Sequence, residues 1–236
     1  MNYYKNMPVL SLGNLQLDRL LGGGIEEHKS TILVGDPGCG KTTLALQFIT
    51  DPRSTKIPCA YICIDKKPER IMEKALEMNG TVNQQITAGT LKFVEISIQD
   101  WSPDQSMNEL LLTIQLQIDA LFQNFPAEHL IIDSLLPHVL CGFSKENKQY
   151  FIRELLHIIH SYNTTAICIL YDTSAHHSLW LDTSMVSDQL IFNRKSDMDY
   201  VTYWLEISKN STHNLNGKYR FTFDAQKGII LKHRLC

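Results

Sequence analysis

The stretch GDPGCGKTT, Gly35 to Thr43, sets the terms for the rest of the chain. It satisfies GxxxxGK[ST] with Gly35, Gly40, Lys41 and Thr42. Before it runs STILV, short, apolar and β-rich; after it runs KTTLALQFIT, with apolar residues at helical spacing. Strand, glycine-rich loop and helix in that order make a phosphate-binding loop. Gly38 and Gly40 let the backbone curl so that its N–H groups face anionic oxygens at the positive end of the following helix. The expected nucleotide-binding residues are therefore Gly35, Asp36, Pro37, Gly38, Cys39, Gly40, Lys41, Thr42 and Thr43. The Lys41 ammonium reaches the β- and γ-phosphates, and the Thr42 hydroxyl joins a Mg²⁺ shell. The expected ligands are ATP or ADP with Mg²⁺, although no residue in the sequence reads adenine against guanine.

The surrounding pattern alternates. Strands are expected at Ser30–Val34, Cys59–Ile64, Leu91–Ile96, His129–Asp133 and Ala166–Tyr171, with helices at Lys41–Thr50, Pro68–Met78, Asp104–Phe122 and Lys145–Tyr162. Apolar, β-branched strands between amphipathic helices imply an α/β fold, a mostly parallel sheet covered on both faces. The tail differs: Gln189–Asn193, Tyr200–Ile207, Tyr219–Phe223 and Gly228–Lys232 are short strands with turns between them, read as an antiparallel C-terminal extension. The chain has 236 residues, 44% of them apolar, and is read as a single domain over 1–236.

Composition narrows the partners. A net charge of −3 offers no basic field for nucleic acid or for an anionic membrane. The opening MNYYKNMPVL lacks the form of a secretory signal, and no apolar run approaches the ~20 residues of a membrane span. The six cysteines form no CxxC pair, the usage expected of a reduced, cytoplasmic protein. His157 and His160 on a helix, and His176 and His177 in a loop, have no acid or cysteine at metal spacing beside them and read as solvated or partner-facing. The loop SAHHSLWLDTSMV, with Leu179, Trp180 and Leu181, reads as a flap on the body, with a partner contact as the alternative.

A second acid follows in HLIIDSL, where an apolar strand ends in Asp133, the place from which a P-loop protein polarises the water around Mg²⁺. Together with LDRLLGGGI before the loop and VSDQLIFNRK…LEISKNSTHNLNGKYRFTFDAQKGI in the tail, this resembles the RecA superfamily. The nearest resemblance is to its KaiC-like branch, which includes the archaellum protein FlaH and is related to RadA recombinases, and it covers about Gly13 to Lys232. The resemblance implies a RecA-like P-loop core, commonly a homo-oligomer in a hexameric ring with nucleotide between subunits, and a protein partner. It also implies a γ-phosphate sensor at Asp172, with the start of a turn as the alternative.

Two departures from that family weaken its catalytic parts. The strand beside the phosphate loop ends in glutamate in the family, usually an EE pair that orients the attacking water; here CIDKKPERI puts Asp65 on the first and Lys66 on the second. Asp65 is one methylene shorter, and flanking Lys66 and Lys67 favour its charged form and so make it a weaker base. DKK also reads as a cap for the next helix. In the tail, the KxRG stretch that reaches a neighbour's γ-phosphate is replaced by SKNS: Asn210 falls on the arginine, and only Lys209, one residue displaced, supplies a trans-acting charge. An arginine finger is worth ~10³–10⁵ in rate where it operates. The expectation is an ATP-binding switch or assembly subunit with slow or absent hydrolysis. The alternative is an active recombinase-type ATPase on DNA, disfavoured because the loops LPHVLCGFSKENKQ and TSAHHSLWLDTSM carry so little positive charge.

Overall fold

The computed structural model describes residues 8–53, 55–102, 104–136, 140, 142–171, 183–197, 200–210 and 217–235. The chain opens with β1 (Val9–Leu10), α1 (Leu15–Leu20) and β2 (Ile25–Glu26), then continues through β3 (Ser30–Gly35), α2 (Lys41–Thr50), β4 (Cys59–Ile64), α3 (Glu69–Met78) and α4 (Thr81–Thr87). Next come β5 (Leu91–Ile96), α5 (Met107–Asn124), β6 (His129–Asp133), α6 (Lys145–Ser161), β7 (Thr165–Tyr171) and four strands, β8 (Asp188–Ser196), β9 (Val201–Lys209), β10 (Gly217–Asp224) and β11 (Gly228–Leu235).

Nine strands form one sheet in the order β11-β10-β9-β8-β3-β7-β6-β4-β5. The six from β5 to β8 run parallel, and β9, β10 and β11 add antiparallel strands at the other side. Of the four tail strands, β8 is parallel to β3, so the antiparallel extension begins only at the β8–β9 pair. Alternation along each strand divides the core. Leu33, Tyr61, Ile131 and Ile169 pack on the face covered by α2, and Ile32, Val34, Ile62, Ile132 and Leu170 pack on the face covered by α5 and α6. Burial on both faces is why β3, β4 and β6 read as unbroken apolar runs rather than alternating ones.

Helix ends follow local chemistry. The third helix starts after Pro68, and Asn79 and Gly80 separate it from α4, a helix the sequence reading missed. The helix expected from Asp104 starts at Met107, because Ser106 and Glu109 close a capping box, worth about 1 kcal/mol. The missed α1 is capped by Asn14, whose side chain accepts from Leu17 N at 3.1 Å and whose Nδ2 donates to Ile229 O at 2.8 Å. The tail is thereby tied to the start of the chain. Gln47 on α2 completes the tie, donating through Nε2 to Lys227 O at 2.5 Å and accepting from Ile229 N at 3.0 Å.

Candidate functional site

In an open parallel sheet, ligands sit beyond the carboxyl ends of the strands. There the fold gathers the loop after β3, the turn after β4, Asp133 at the end of β6, Tyr171 at the end of β7 and Arg194 near the end of β8. The strand ending before Asp65 is not beside the loop strand, as the sequence reading had it: β7 and β6 lie between β4 and β3. Its end reaches the site because it neighbours β6 directly, with Cys63 paired to Asp133.

The loop Gly35–Gly40 is shaped by close approach. A β-carbon on Gly35 would stand 2.2 Å from Phe192 O, so only glycine lets β3 lie against β8 there. Gly40 caps α2 at φ 109°, a left-handed turn beneath Phe223, whose ring would be 3.0 Å from a β-carbon. Lys41 is 2% exposed, and its ammonium donates to Gly35 O at 2.6 Å and Asp36 O at 2.7 Å. Burial pushes its pKa down. Cys39 is buried with Sγ 3.5 Å from that ammonium, and burial raises its thiol pKa. Asp36 is half-buried and Pro37 exposed, at the outer rim of the loop.

Asp133 is 2% exposed, and its two oxygens differ. Oδ2 accepts from Tyr61 Oη at 2.9 Å and from Thr42 Oγ1 at 3.4 Å. Burial, then the adjacent Asp133 charge, raises the Tyr61 pKa, which keeps this phenol a donor. Oδ1 has no hydrogen-bond partner, although Lys66 Nζ stands 3.5 Å away as an ion pair. A buried carboxylate oxygen without a hydrogen bond, beside a threonine hydroxyl, fits one edge of a hydrated Mg²⁺ shell, and Thr42 and Asp133 are the residues that would hold it. Asp65 is half-buried at φ 55°, in the left-handed region, with its N–H on Ile96 O at 2.9 Å. DKK is thus a turn rather than the cap of α3, which Pro68 provides.

A cavity of about 510 Å³ opens beside the loop, lined in part by Gly40, Lys41, Thr42, Lys74, Tyr171 and Phe223. Lys74 was missed from sequence. It lies on α3, donates to Thr43 Oγ1 at 2.8 Å and has its pKa lowered by burial. Its signal was available, since it falls one position before Ala75 and four before Met78, the buried stripe of that helix. Phe223, 42% exposed, and Arg194, whose Nη1 would lie 3.5 Å from a β-carbon on Gly38, were also missed. Both come from tail strands, and only sheet order brings them here.

The remaining sequence candidates lie elsewhere. Lys209 Nζ donates to Val186 O at 2.5 Å and Asn210 Nδ2 to Asp188 Oδ1 at 2.9 Å. Asp188 pairs with Thr31 at the start of β3, so both residues stand at the end of the sheet away from the chain's own loop. Asp172, with the loop 172–182 that follows it, falls outside the described residues. Among the described residues no cluster of three or more His, Cys, Asp or Glu side chains could hold a metal, and no helix is long and apolar enough to cross a membrane.

A parallel sheet with a phosphate loop after one strand, an acid ending the next strand but one and antiparallel strands beyond defines a RecA-like P-loop protein. The family model described as "ATPase: KaiC" matches residues 12–232, and the chain belongs to this KaiC-like ATPase family of the RecA superfamily. The crystal structure of the KaiC-like protein PH0186 from Pyrococcus horikoshii OT3 superposes with a TM-score of 0.77, covering 97% of this chain and all of that one at 17% identity, a likeness of fold. A DNA repair and recombination protein RadB from Methanosphaera stadtmanae is 34% identical over 128 residues, 54% of this chain and 50% of RadB. A DNA repair protein RadA from Rickettsia bellii is 38% identical over 64 residues, 27% of this chain and 14% of RadA. The chain therefore matches half or less of the length of these relatives.

Proposed function

We propose that the chain binds Mg·ATP and acts as a nucleotide-dependent switch or assembly subunit whose hydrolysis is slow or absent. One observation carries this reading: at the end of β4, where the family places a glutamate, the Lys66 ammonium faces Asp133. A lysine cannot accept a proton from water while charged, and it competes for the carboxylate that would orient a metal-bound one. Asp65, at the same strand end, is turned into a left-handed bend. Support for the binding half comes from Lys41, Thr42 and the loop glycines Gly38 and Gly40, which line one cavity, and from Asp133, which accepts a hydrogen bond from Thr42. Tyr171 and Phe223 line the same cavity and give it apolar walls suited to a base.

The proposed reading includes assembly, and the residue it concerns lies at the other end of the sheet. Lys209 lies about 10 Å down the strands from the loop, three residues at the strand rise, and so away from the chain's own phosphate site. The test is light scattering with and without ATP beside a turnover assay on the same sample. Nucleotide-dependent mass with turnover far below ~1 s⁻¹ supports the reading, and brisk turnover overturns it. A second reading, an ATPase acting on DNA, draws on the names of the RadA and RadB relatives. Fluorescence anisotropy decides it: salt-sensitive, ATP-dependent DNA binding below micromolar would establish that reading against a net charge of −3.

A further inference from the structure

Asp133 is buried, and one of its oxygens has no hydrogen bond. A buried charge without a counter-charge is costly. Lys41 and Lys74 also feel the Asp133 charge, and Lys66 is the ammonium at ion-pair distance, 3.5 Å from that oxygen and 4.3 Å from the Tyr171 ring centroid. Lys41 Nζ is also 4.3 Å from that centroid, so two ammoniums share one aromatic ring, one at the phosphate loop and one at the acid. Cation–π attraction holds both near the ring without consuming their hydrogen-bond donors. The Lys66 side chain is half exposed and attached through a turn, which leaves it free to follow a ligand.

We propose that Lys66 is a built-in counter-cation for Asp133 that competes with the divalent ion, so that this site holds ATP almost as well without Mg²⁺ as with it. The proposal rests on the nucleotide-binding reading above. Mg²⁺ ordinarily supplies the positive charge between the triphosphate and the strand-end acid. Here Lys66 brings one positive charge to the strand-end acid itself; at the cavity wall Lys41 and Lys74 face Glu77 and Asp224, and Arg194 stands at the outer rim of the loop. Asp65, half-buried beside Lys66, offsets part of that charge. The protein donors to a metal are few: Thr42 and Asp133, the latter already engaged by Tyr61. A divalent ion at Asp133 meets the Lys66 ammonium at ion-pair distance and must displace it, so the metal gains less than it would from an unpaired carboxylate. On ATP binding Lys66 exchanges the carboxylate for a phosphate oxygen without leaving the site.

The experiment titrates fluorescent N-methylanthraniloyl-ATP into wild type, Lys66→Met, Lys66→Arg and Lys41→Ala, each in Mg²⁺ and in EDTA. Wild type should bind within about three-fold in the two buffers, and Lys66→Met should lose about ten-fold in EDTA while changing little in Mg²⁺. Lys66→Arg should recover the EDTA affinity. As a second readout, Mn²⁺ electron paramagnetic resonance on the ATP complex should show tighter metal binding in Lys66→Met than in wild type. The inference is overturned if wild type binds only with Mg²⁺, if Lys66→Met keeps its EDTA affinity, or if Mn²⁺ affinity does not rise. Those failures leave Lys41→Ala impaired and the nucleotide reading intact. Absence of ATP binding by wild type in both buffers, or equal binding by Lys41→Ala, removes the nucleotide reading and this inference with it.

Discussion

The ends of β3 and β4 lie at the same edge of one sheet, yet they are built differently. The end of β3 is backbone: a loop of glycines, amides and the first turn of α2, with one buried lysine folded into it. The end of β4 is side chain: Asp65 in a left-handed bend and Lys66 paired to Asp133. A grip made of amides depends on a loop geometry that needs glycine at a few places, and side-chain drift elsewhere leaves it standing. Cutting depends on single functional groups, each of which one substitution can replace. That asymmetry is how a chain can keep a nucleotide site while its hydrolytic parts change.

The sharpest way to break this comparison is Lys41→Ala. It should lower ATP affinity about 100-fold, the loss of charge-assisted bonds to phosphate, with far-UV circular dichroism unchanged. Equal binding by calorimetry would mean that the β3 end is not the grip.

Next in size is an effect at the far end of β6, remote from Asp133. His129 is 3% exposed, its Nδ1 has no hydrogen-bond partner, and it packs on Phe48 with ring centroids 5.0 Å apart. Burial lowers its pKa from 6.5 to about 4. The unfolded chain therefore takes up a proton below pH 6.5 that the folded chain refuses until about pH 4, and stability falls as pH falls through that window. Urea denaturation of His129→Leu should lose about 2 kcal/mol less than wild type between those limits. Parallel pH profiles would show that acid acts through other groups. The measurement also separates acid loss of fold from acid loss of the site.

At the β4 end, Asp65→Glu with Lys66→Glu should raise turnover about ten-fold, a fraction of the ~10²–10⁴ a general base contributes. If hydrolysis is slow as proposed, Asp65→Ala should matter little; a collapse of brisk hydrolysis would show that the β4 end cuts after all. Restoring arginine at Asn210 is a poorer test, because its amide serves Asp188, 1% exposed, and removing it unsettles a buried acid. The smallest effect is Phe223→Ala, which should weaken ATP about five-fold through lost base contact and leave tripolyphosphate unchanged.

Much was legible in the chain. The strands Cys59–Ile64, Leu91–Ile96 and His129–Asp133 and the helix Lys41–Thr50 have the bounds expected of them, because each is a dense apolar or helical run closed by a turn residue. Helices α1 and α4 were not legible: at six and seven residues they are shorter than two turns, and packing holds them, with the Asn14 cap added for α1, rather than periodicity.

The sequence by itself determined the phosphate loop, its following helix, the acid at the end of an apolar strand and the lysine where a glutamate was expected. All of these are encoded within a few neighbouring residues, where spacing and side-chain chemistry speak directly. Only the tertiary structure decided that β8 lies beside β3, that Phe223 covers Gly40, that Arg194 borders the loop, and that Lys66 faces Asp133 across two strand ends. The partners in the last pair are 67 residues apart, and a residue's charge partner across a sheet follows from strand order, which arises from burying both faces at once rather than from any local pattern.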